Sequence, residues 1–322
     1  MRNTMFLLAG LAAGLSSPAS ANMIYVSNEK DNTVSVVDST TMKVVKTVEV
    51  GQRPRGIDLS KDGKFLYVAA SDDNTIHVVD TGSLRIVGDL PSGDDPELFA
   101  VSPDGSSLYV TNEDDNQVTA IDLSTRKAVA EIPVGVEPEG VAVSPDNKTI
   151  VSTSETTSMA HFIDVASQQV TASVLVGSRP RFAAFTPDGS QVWVSSELGG
   201  TVSVIDAASH SVARTIKFEI AGLRSEKIQP VGISITKDGK KAYVALGPAN
   251  QVAVVDIANY RVEKYILVGQ RVWHLAFMPD EKLIISANGN SNDITFIDTA
   301  TDEAVQSVTV GKQPWGLVVS PN

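Results

Sequence analysis

The stretch Asn32-Thr-Val-Ser-Val-Val-Asp38 decides the fold. Apolar, mostly β-branched residues alternate with small polar ones, which is the pattern of a strand with two unlike faces, and the run closes on an aspartate. That aspartate recurs at Asp80, Asp122, Asp164, Asp206, Asp256 and Asp298, with every step 42 residues long except one of 50. Glycines at Gly51, Gly93, Gly135, Gly177, Gly269 and Gly311 keep the same step, as do prolines at Pro54, Pro96, Pro138, Pro180 and Pro314, while Pro230 is displaced by an insertion. Seven copies of a unit this long, built from short strands, are the signature of a propeller.

Each copy offers four strand-sized segments. The first resembles Gly140-Val-Ala-Val-Ser144 and carries a small residue at its centre, as an innermost strand crowded near an axis requires. A turn of the type Ser102-Pro-Asp-Gly105 follows, with proline presetting φ and glycine tolerating a positive one. The second strand is Tyr25-Val, Tyr67-Val, Tyr109-Val or Tyr243-Val, with Trp193-Val as a variant; the third is the Asn32 to Asp38 type; the fourth resembles Val44 to Val50. The chain opens with a second-type strand at Ile24 and finishes with a first-type strand, Trp315 to Ser320. Pairing these ends closes the ring and leaves neither terminus as an unpaired edge. The expected fold is therefore one domain over residues 22–322: an all-β, seven-bladed β-propeller of four-stranded antiparallel blades, closed by the C-terminal strand lying beside the N-terminal strands.

The 322 residues are 42% hydrophobic and 20% charged, ample for a folded core. There is no cysteine, which excludes thiolate metal sites and a catalytic thiol. Met1 and Arg2, an apolar run from Met5 to Leu15, and small residues at Ala19 and Ala21 read as a secretory signal over residues 1–21, placing the protein in a bacterial periplasm. The run is too short for a membrane span. The formal charge of −12 makes nucleic acid a poor partner and favours basic proteins and cations.

Catalytic signatures are scarce. There is no Gly-x-Ser-x-Gly elbow, no His-Glu-x-x-His and no phosphate loop. Of the four histidines, His77 and His161 share one third-strand position and read as strand side chains. The seven periodic aspartates read as acceptors for turn amides.

Scaffold residues recur, so function belongs where copies disagree. The fourth-to-first connections and the second-to-third loops share the channel-mouth face, and the second and fourth residues after each periodic glycine form its lining. In order these are Arg53 and Arg55, Asp95 and Glu97, Glu137 and Glu139, Arg179 and Arg181, an interruption, Arg271 and Trp273, then Gln313 and Trp315. The second-to-third loops add Asp72, Asp73, Glu113, Asp114 and Asp115, with Glu29, Glu155 and Glu197 at the position of Glu113. This crowd either attracts a basic partner or Ca²⁺, or pairs internally, Arg55 and Arg181 with Glu97 and Glu139 across blades. Trp273 and Trp315, beside Arg271, His274 and Lys312, either plug the channel or stack a flat anionic molecule. Phe218 to Gln229 adds eight residues as a loop on the same face.

The Tyr-Val-Ser-Asn at 25–28 and Tyr-Val-Thr-Asn at 109–112, with the Asn32 to Asp38 type of strand, Val-Gly-x-x-Pro and Ser-Pro-Asp-Gly, resemble the YVTN-repeat β-propellers over essentially all of residues 23–322. The overall pattern, with its longer loop after repeat five, is similar to the exported PQQ-dependent catabolism-associated β-propeller proteins. That resemblance implies an accessory role beside a quinoprotein alcohol dehydrogenase and its cytochrome c partner. The expectation is thus a non-enzymatic periplasmic binding propeller presenting Arg53, Arg55, Glu97, Glu139, Arg179, Arg181, Arg271, Trp273, His274 and Trp315 to a partner protein or a small anionic ligand. No cofactor is required, and no specific motif supports Ca²⁺ or PQQ. The alternative is a lactonase-like hydrolase, because other seven-bladed propellers similar to this one open lactones; it would draw on His274, Arg271 and Glu97.

Overall fold

The computed structural model describes residues 21–321, so the leader read at residues 1–21 lies, but for Ala21, outside the described residues. Seven four-stranded antiparallel sheets surround one axis. Blade one combines Met23–Asn28, Thr33–Asp38 and Lys43–Glu49 with the C-terminal strand Pro314–Val319, which pairs with Met23–Asn28 as its innermost member. The innermost strands of successive blades touch around the ring, and Pro314–Val319 meets Pro54–Leu59 to close it. The predicted fold and closure are therefore those observed. Among the described residues no helix is long and apolar enough to cross a membrane.

Alternation explains the core. In each second and third strand the apolar side chains bury between adjacent blades, so Tyr25, Tyr67, Tyr109, Trp193 and Tyr243 are all nearly inaccessible at one repeat position. Each fully buried side chain of this size contributes about 1.5–3 kcal/mol by removal from water. The Ser-Pro-Asp-Gly turns form as read: Ser102 Oγ donates to Asp104 Oδ1 at 2.6 Å, the Ser106 amide donates to the same oxygen at 2.9 Å, and Gly105 takes φ of 78°. The periodic aspartates likewise accept turn amides, as Thr41 N to Asp38 Oδ1 at 2.7 Å and Thr301 N to Asp298 Oδ1 at 2.8 Å illustrate.

Two irregularities repeat with the blades. In every fourth strand one residue, such as Val45, Val87, Val129 or Val305, has no partner in the third strand, so all seven outer edges carry a bulge. In six of the seven innermost strands the register also shifts just after the first residue, which is the periodic proline in five of them and Val272 in the sixth, as between Pro54 and Ile57. Such a bulge re-aims the side chains within it, here Arg55, Glu97, Glu139 and their equivalents. Blade six, which follows the insertion, departs from this plan: its innermost strand is only Ile233–Ile235. The insertion itself contains one short 3₁₀ turn, Ser225–Lys227, and is anchored by buried Phe218 and Ile228.

Removing residues 314–322 strips blade one of its innermost strand, including buried Trp315 and Leu317. The truncated chain is expected to lose at least ~10 °C in its thermal midpoint, each kcal/mol being worth about 2–4 °C in a protein of this size, as read by far-ultraviolet circular dichroism.

Candidate functional site at the channel mouth

Six of the seven blades present their variable side chains by one local device. The residue two after the periodic glycine is left-handed although it is not glycine: Arg53, Asp95, Glu137, Arg179, Arg271 and Gln313 have φ between 52° and 57°. Its amide is received by an asparagine at the head of a third strand, as Arg53 N to Asn32 Oδ1 at 3.1 Å, Asp95 N to Asn74 Oδ1 at 3.0 Å and Arg271 N to Asn250 Oδ1 at 2.8 Å. Its carbonyl accepts an amide from the second-to-third loop, including Glu113 N to Asp95 O at 3.0 Å and Glu197 N to Arg179 O at 2.8 Å. The two loop classes therefore do share one face.

On that face the charges interlock across blades. Arg53 reaches Asp72 at 3.1 Å and Asp95 at 3.0 Å, and both Arg53 and Arg55 contact Glu97, which is fully buried. Glu29 lies 3.5 Å from Arg55. On the opposite side Arg181, only 5% exposed, contacts Glu155 and meets Glu139 at 3.2 Å and Glu197 at 3.7 Å. Arg179 joins Glu155 at 2.7 Å and Glu197 at 3.3 Å, and Arg271 reaches Glu197 at 2.6 Å and the Gln229 side-chain oxygen at 2.7 Å. Of the two charge readings drawn from the sequence, internal pairing is the observed one.

Eight carboxylates here face five guanidinium groups, and the imbalance shows in their protonation. Burial, then repulsion from Glu97 and Asp95, pushes Glu113 up to about 8. Burial and Glu97 raise Asp95 to about 6. Glu139 is also held well above the ordinary range by burial, with Arg181 only partly opposing it. Glu97 alone goes down: burial acts against its charge, but two arginines outweigh it.

Carboxyl oxygens of Asp95, Glu97 and Glu113 lie within 4.8 Å of one another, a spacing that a divalent cation can bridge. The donor set does not suit one, because Glu97 already accepts from Arg53 and Arg55 and both positive charges oppose a dication.

Beneath the mouth the channel is filled. The next position of the innermost strands alternates between glycine and a larger residue from blade two onward, with two glycines meeting where the ring closes: Gly56, Leu98, Gly140, Phe182, Gly232, His274, Gly316. Small residues allow close strand approach, and a Cβ on Gly232 would come within 2.8 Å of the His274 Cα. Buried Trp315 packs among Leu98, Phe182 and Trp273, with the His274 ring 4.3 Å away. Plugging is thus the observed role of Trp315. Trp273 stays partly exposed, but the Arg271 guanidinium covers its ring at 4.1 Å.

The trio His274, Arg271 and Glu97 does not converge. His274 is 6% exposed, and burial, with Arg181 and Arg55 nearby, drives its pKa down to about 3, so it is neutral and withdrawn from solvent. Arg271 is paired with Glu197, while Glu97 belongs to Arg53 and Arg55. In their place the structure gathers Arg53, Asp95, Glu97 and Glu113, of which Glu113 was read only as part of an acidic rim. His77 and His161 are structural, as expected: His161 Nε2 accepts the Gly135 amide at 3.1 Å, and His77 Nδ1 lies 2.6 Å from Asp89.

This geometry defines a seven-bladed propeller with a closed channel and a charged, partly exposed cup at its mouth. The Choice-of-anchor I domain model matches residues 124–294, over half of the chain, and the chain belongs to that family. A second model, Lactonase, 7-bladed beta-propeller, matches residues 10–85. That match points to a hydrolase and overturns the expectation of a non-enzyme, which rested on the resemblance to the PQQ-dependent catabolism-associated propellers together with the lack of a recognisable catalytic motif; the matched segment carries Arg53, Arg55 and Asp72 of the mouth. No curated protein matches by sequence. Among solved structures, hydrazine synthase of Kuenenia stuttgartiensis aligns with a TM-score of 0.79 at 23% identity, covering 91% of this chain and 100% of that one. A proposed 6-phosphogluconolactonase of Bacteroides fragilis aligns with 0.79 at 19%, covering 95% and 99%, and one of Bacteroides uniformis with 0.79 at 17%, covering 93% and 99%. At these identities the likeness is one of fold.

Protonation of Glu113 has a measurable consequence for stability. A carboxyl whose folded pKa is raised favours folding less as pH climbs from its unfolded value near 4.3 to its folded value near 8. Glu113→Gln is therefore expected to melt a few degrees above the parent at pH 9 and level with it at pH 4.5, read by calorimetry across that range. Removing Arg181 strands buried Glu139 and Glu155; Arg181→Met is expected to cost about 3–5 kcal/mol, measured by urea unfolding at pH 7.

Proposed function

We propose that this protein is a lactonase-like hydrolase whose reaction runs at the channel mouth, in the sector of blades two and three. The observation that carries the reading is the match of residues 10–85 to the Lactonase model, because that segment supplies the two arginines that converge on Glu97. Secretion through the leader read at residues 1–21 would place the reaction in the periplasm.

Opening a lactone requires a polarised carbonyl, an activated water and a proton for the departing ring oxygen. Arg53, about one-fifth exposed, offers its guanidinium to the carbonyl oxygen and to the oxyanion that forms when water adds. Glu113, partly exposed beside Glu97 and Asp95, takes the proton from the attacking water in its ionised form. The ring C–O bond then breaks, and Glu113 returns the proton to the ring oxygen, leaving a hydroxy acid. A carboxyl titrating near 8 suits both halves of this cycle. Glu97 and Asp95 are positioning residues: they hold Arg53 and set the potential at Glu113.

The test is turnover of a panel of γ- and δ-lactones in a pH-stat. The parent is expected to show a rate that rises with pH and levels above about 8. Glu113→Gln is expected to lose ~10²–10⁴-fold in kcat and the pH dependence with it, and Arg53→Ala ~10²–10³-fold. Turnover of no lactone, or full activity in both variants, would sink the proposal.

A further inference from the structure

We infer that the lactone accepted at this mouth bears no anionic group, and in particular no phosphate; the inference rests on the hydrolase reading and narrows its substrate. Three independent features of the mouth lead there.

The first is commitment of the cations. Binding a phosphate dianion through arginine takes free, paired N–H donors. Arg53, Arg55, Arg179, Arg181 and Arg271 are each within 2.7 Å or so of a carboxylate or in direct contact with one, or are bridged between several. A phosphate dianion, which takes paired N–H donors, would have to draw an arginine away from a carboxylate such as fully buried Glu97, which is strongly unfavourable, whereas a neutral carbonyl takes a single N–H that Arg53 can share while it stays paired.

The second concerns the turn amides. Successive backbone N–H groups beside left-handed residues make anion-binding hollows. Here the chain's own carboxylates fill them: Asp73 accepts from Gln52 N at 2.6 Å, Asp115 from Asp94 N at 2.7 Å and Asp31 from Lys312 N at 2.8 Å. An incoming phosphate finds negative side chains standing where it would bind.

The third is the balance of charge. Carboxylates outnumber guanidinium groups around the cup, and repulsion from Glu97 adds to burial in raising the pKa of Glu113 and Asp95. At the two lining positions blade six adds no cation, since its equivalents of Arg53 and Arg55 are Gln229 and buried Val231.

Two measurements on the full-length mature chain decide the matter. In the first, initial rates with glucono-1,5-lactone and its 6-phosphate are compared at 20 mM and 500 mM salt. The unphosphorylated lactone is expected to have kcat/KM at least tenfold higher at low salt, with the gap narrowing at high salt. In the second, tryptophan fluorescence is quenched with caesium or iodide. Trp193 and Trp315 are buried and Trp273 is partly exposed, so the quenchers report on the mouth. With each quencher normalised to its effect on free tryptophan, caesium is expected to quench more strongly than iodide, and Asp72→Asn with Glu137→Gln is expected to raise iodide quenching. Equal or better use of the phosphorylated lactone overturns this inference while leaving the hydrolase standing. Iodide quenching that matches caesium overturns it as well. Failure on every lactone removes the hydrolase reading and its substrate together.

Discussion

The molecule depends on a backbone angle that most residues avoid. Six charged or amide-bearing residues ahead of the innermost strands hold φ near 55°, at a cost of roughly 1–2 kcal/mol each for a side chain with a Cβ. An amide from the loop opposite offsets that cost at all six sites, and an asparagine side chain accepts a second hydrogen bond at five of them, all but Arg179. The same angle turns the chain sharply into a bulged strand, so side chains two residues apart, such as Arg53 and Arg55, both reach Glu97 of the next blade. A glycine there would relax the backbone and forfeit the charge. The strain and the ion-pair lattice are therefore one feature, and positions of this kind cluster where proteins do chemistry.

Buried ion pairs seldom add net stability, because desolvating the charges offsets their attraction. A lattice of five guanidinium groups is thus better understood as a means of holding groups in fixed relation than as a fastening. The lattice is also unevenly satisfied. Glu97 has two arginines and its pKa is lowered, whereas Glu113, buried beside Glu97 and Asp95, is pushed up to about 8. Neighbouring carboxyls on one scaffold consequently differ in protonation at neutral pH, a division that acid–base catalysis requires and that a uniform rim would not provide.

The fold was legible because a 42-residue period survives in residues that serve the backbone: Asp38 and its equivalents, the turn glycines, the strand tyrosines. The mouth was legible in outline for the opposite reason, since Arg55, Glu97 and Trp273 break the period. What the sequence does not carry is reach. Nothing in the spacing says that Arg271 turns to Glu197 rather than toward Glu97, or that Arg181 gathers three carboxylates. The burial of His274 does leave a trace in the sequence: Leu98, Phe182 and His274 each fall between two of four glycines, and a large residue so placed is one that fills an axis. A serine or histidine motif is one signature of a hydrolase, whereas carboxyls of unlike pKa set by their surroundings leave no short signature in a sequence.

The bulges in the outer strands bear on how the molecule behaves among its own kind. Seven sheets expose seven edges, several with bare valines: Val45, Val129 and Val305 are each more than half exposed. A flat edge of this composition invites a stranger's strand to zip alongside. Here any such strand would fall out of step where one residue of the rim has no counterpart, and could continue only by buckling. The wheel can thus be concentrated without its rims fusing, each edge ending the ladder that it seems to begin.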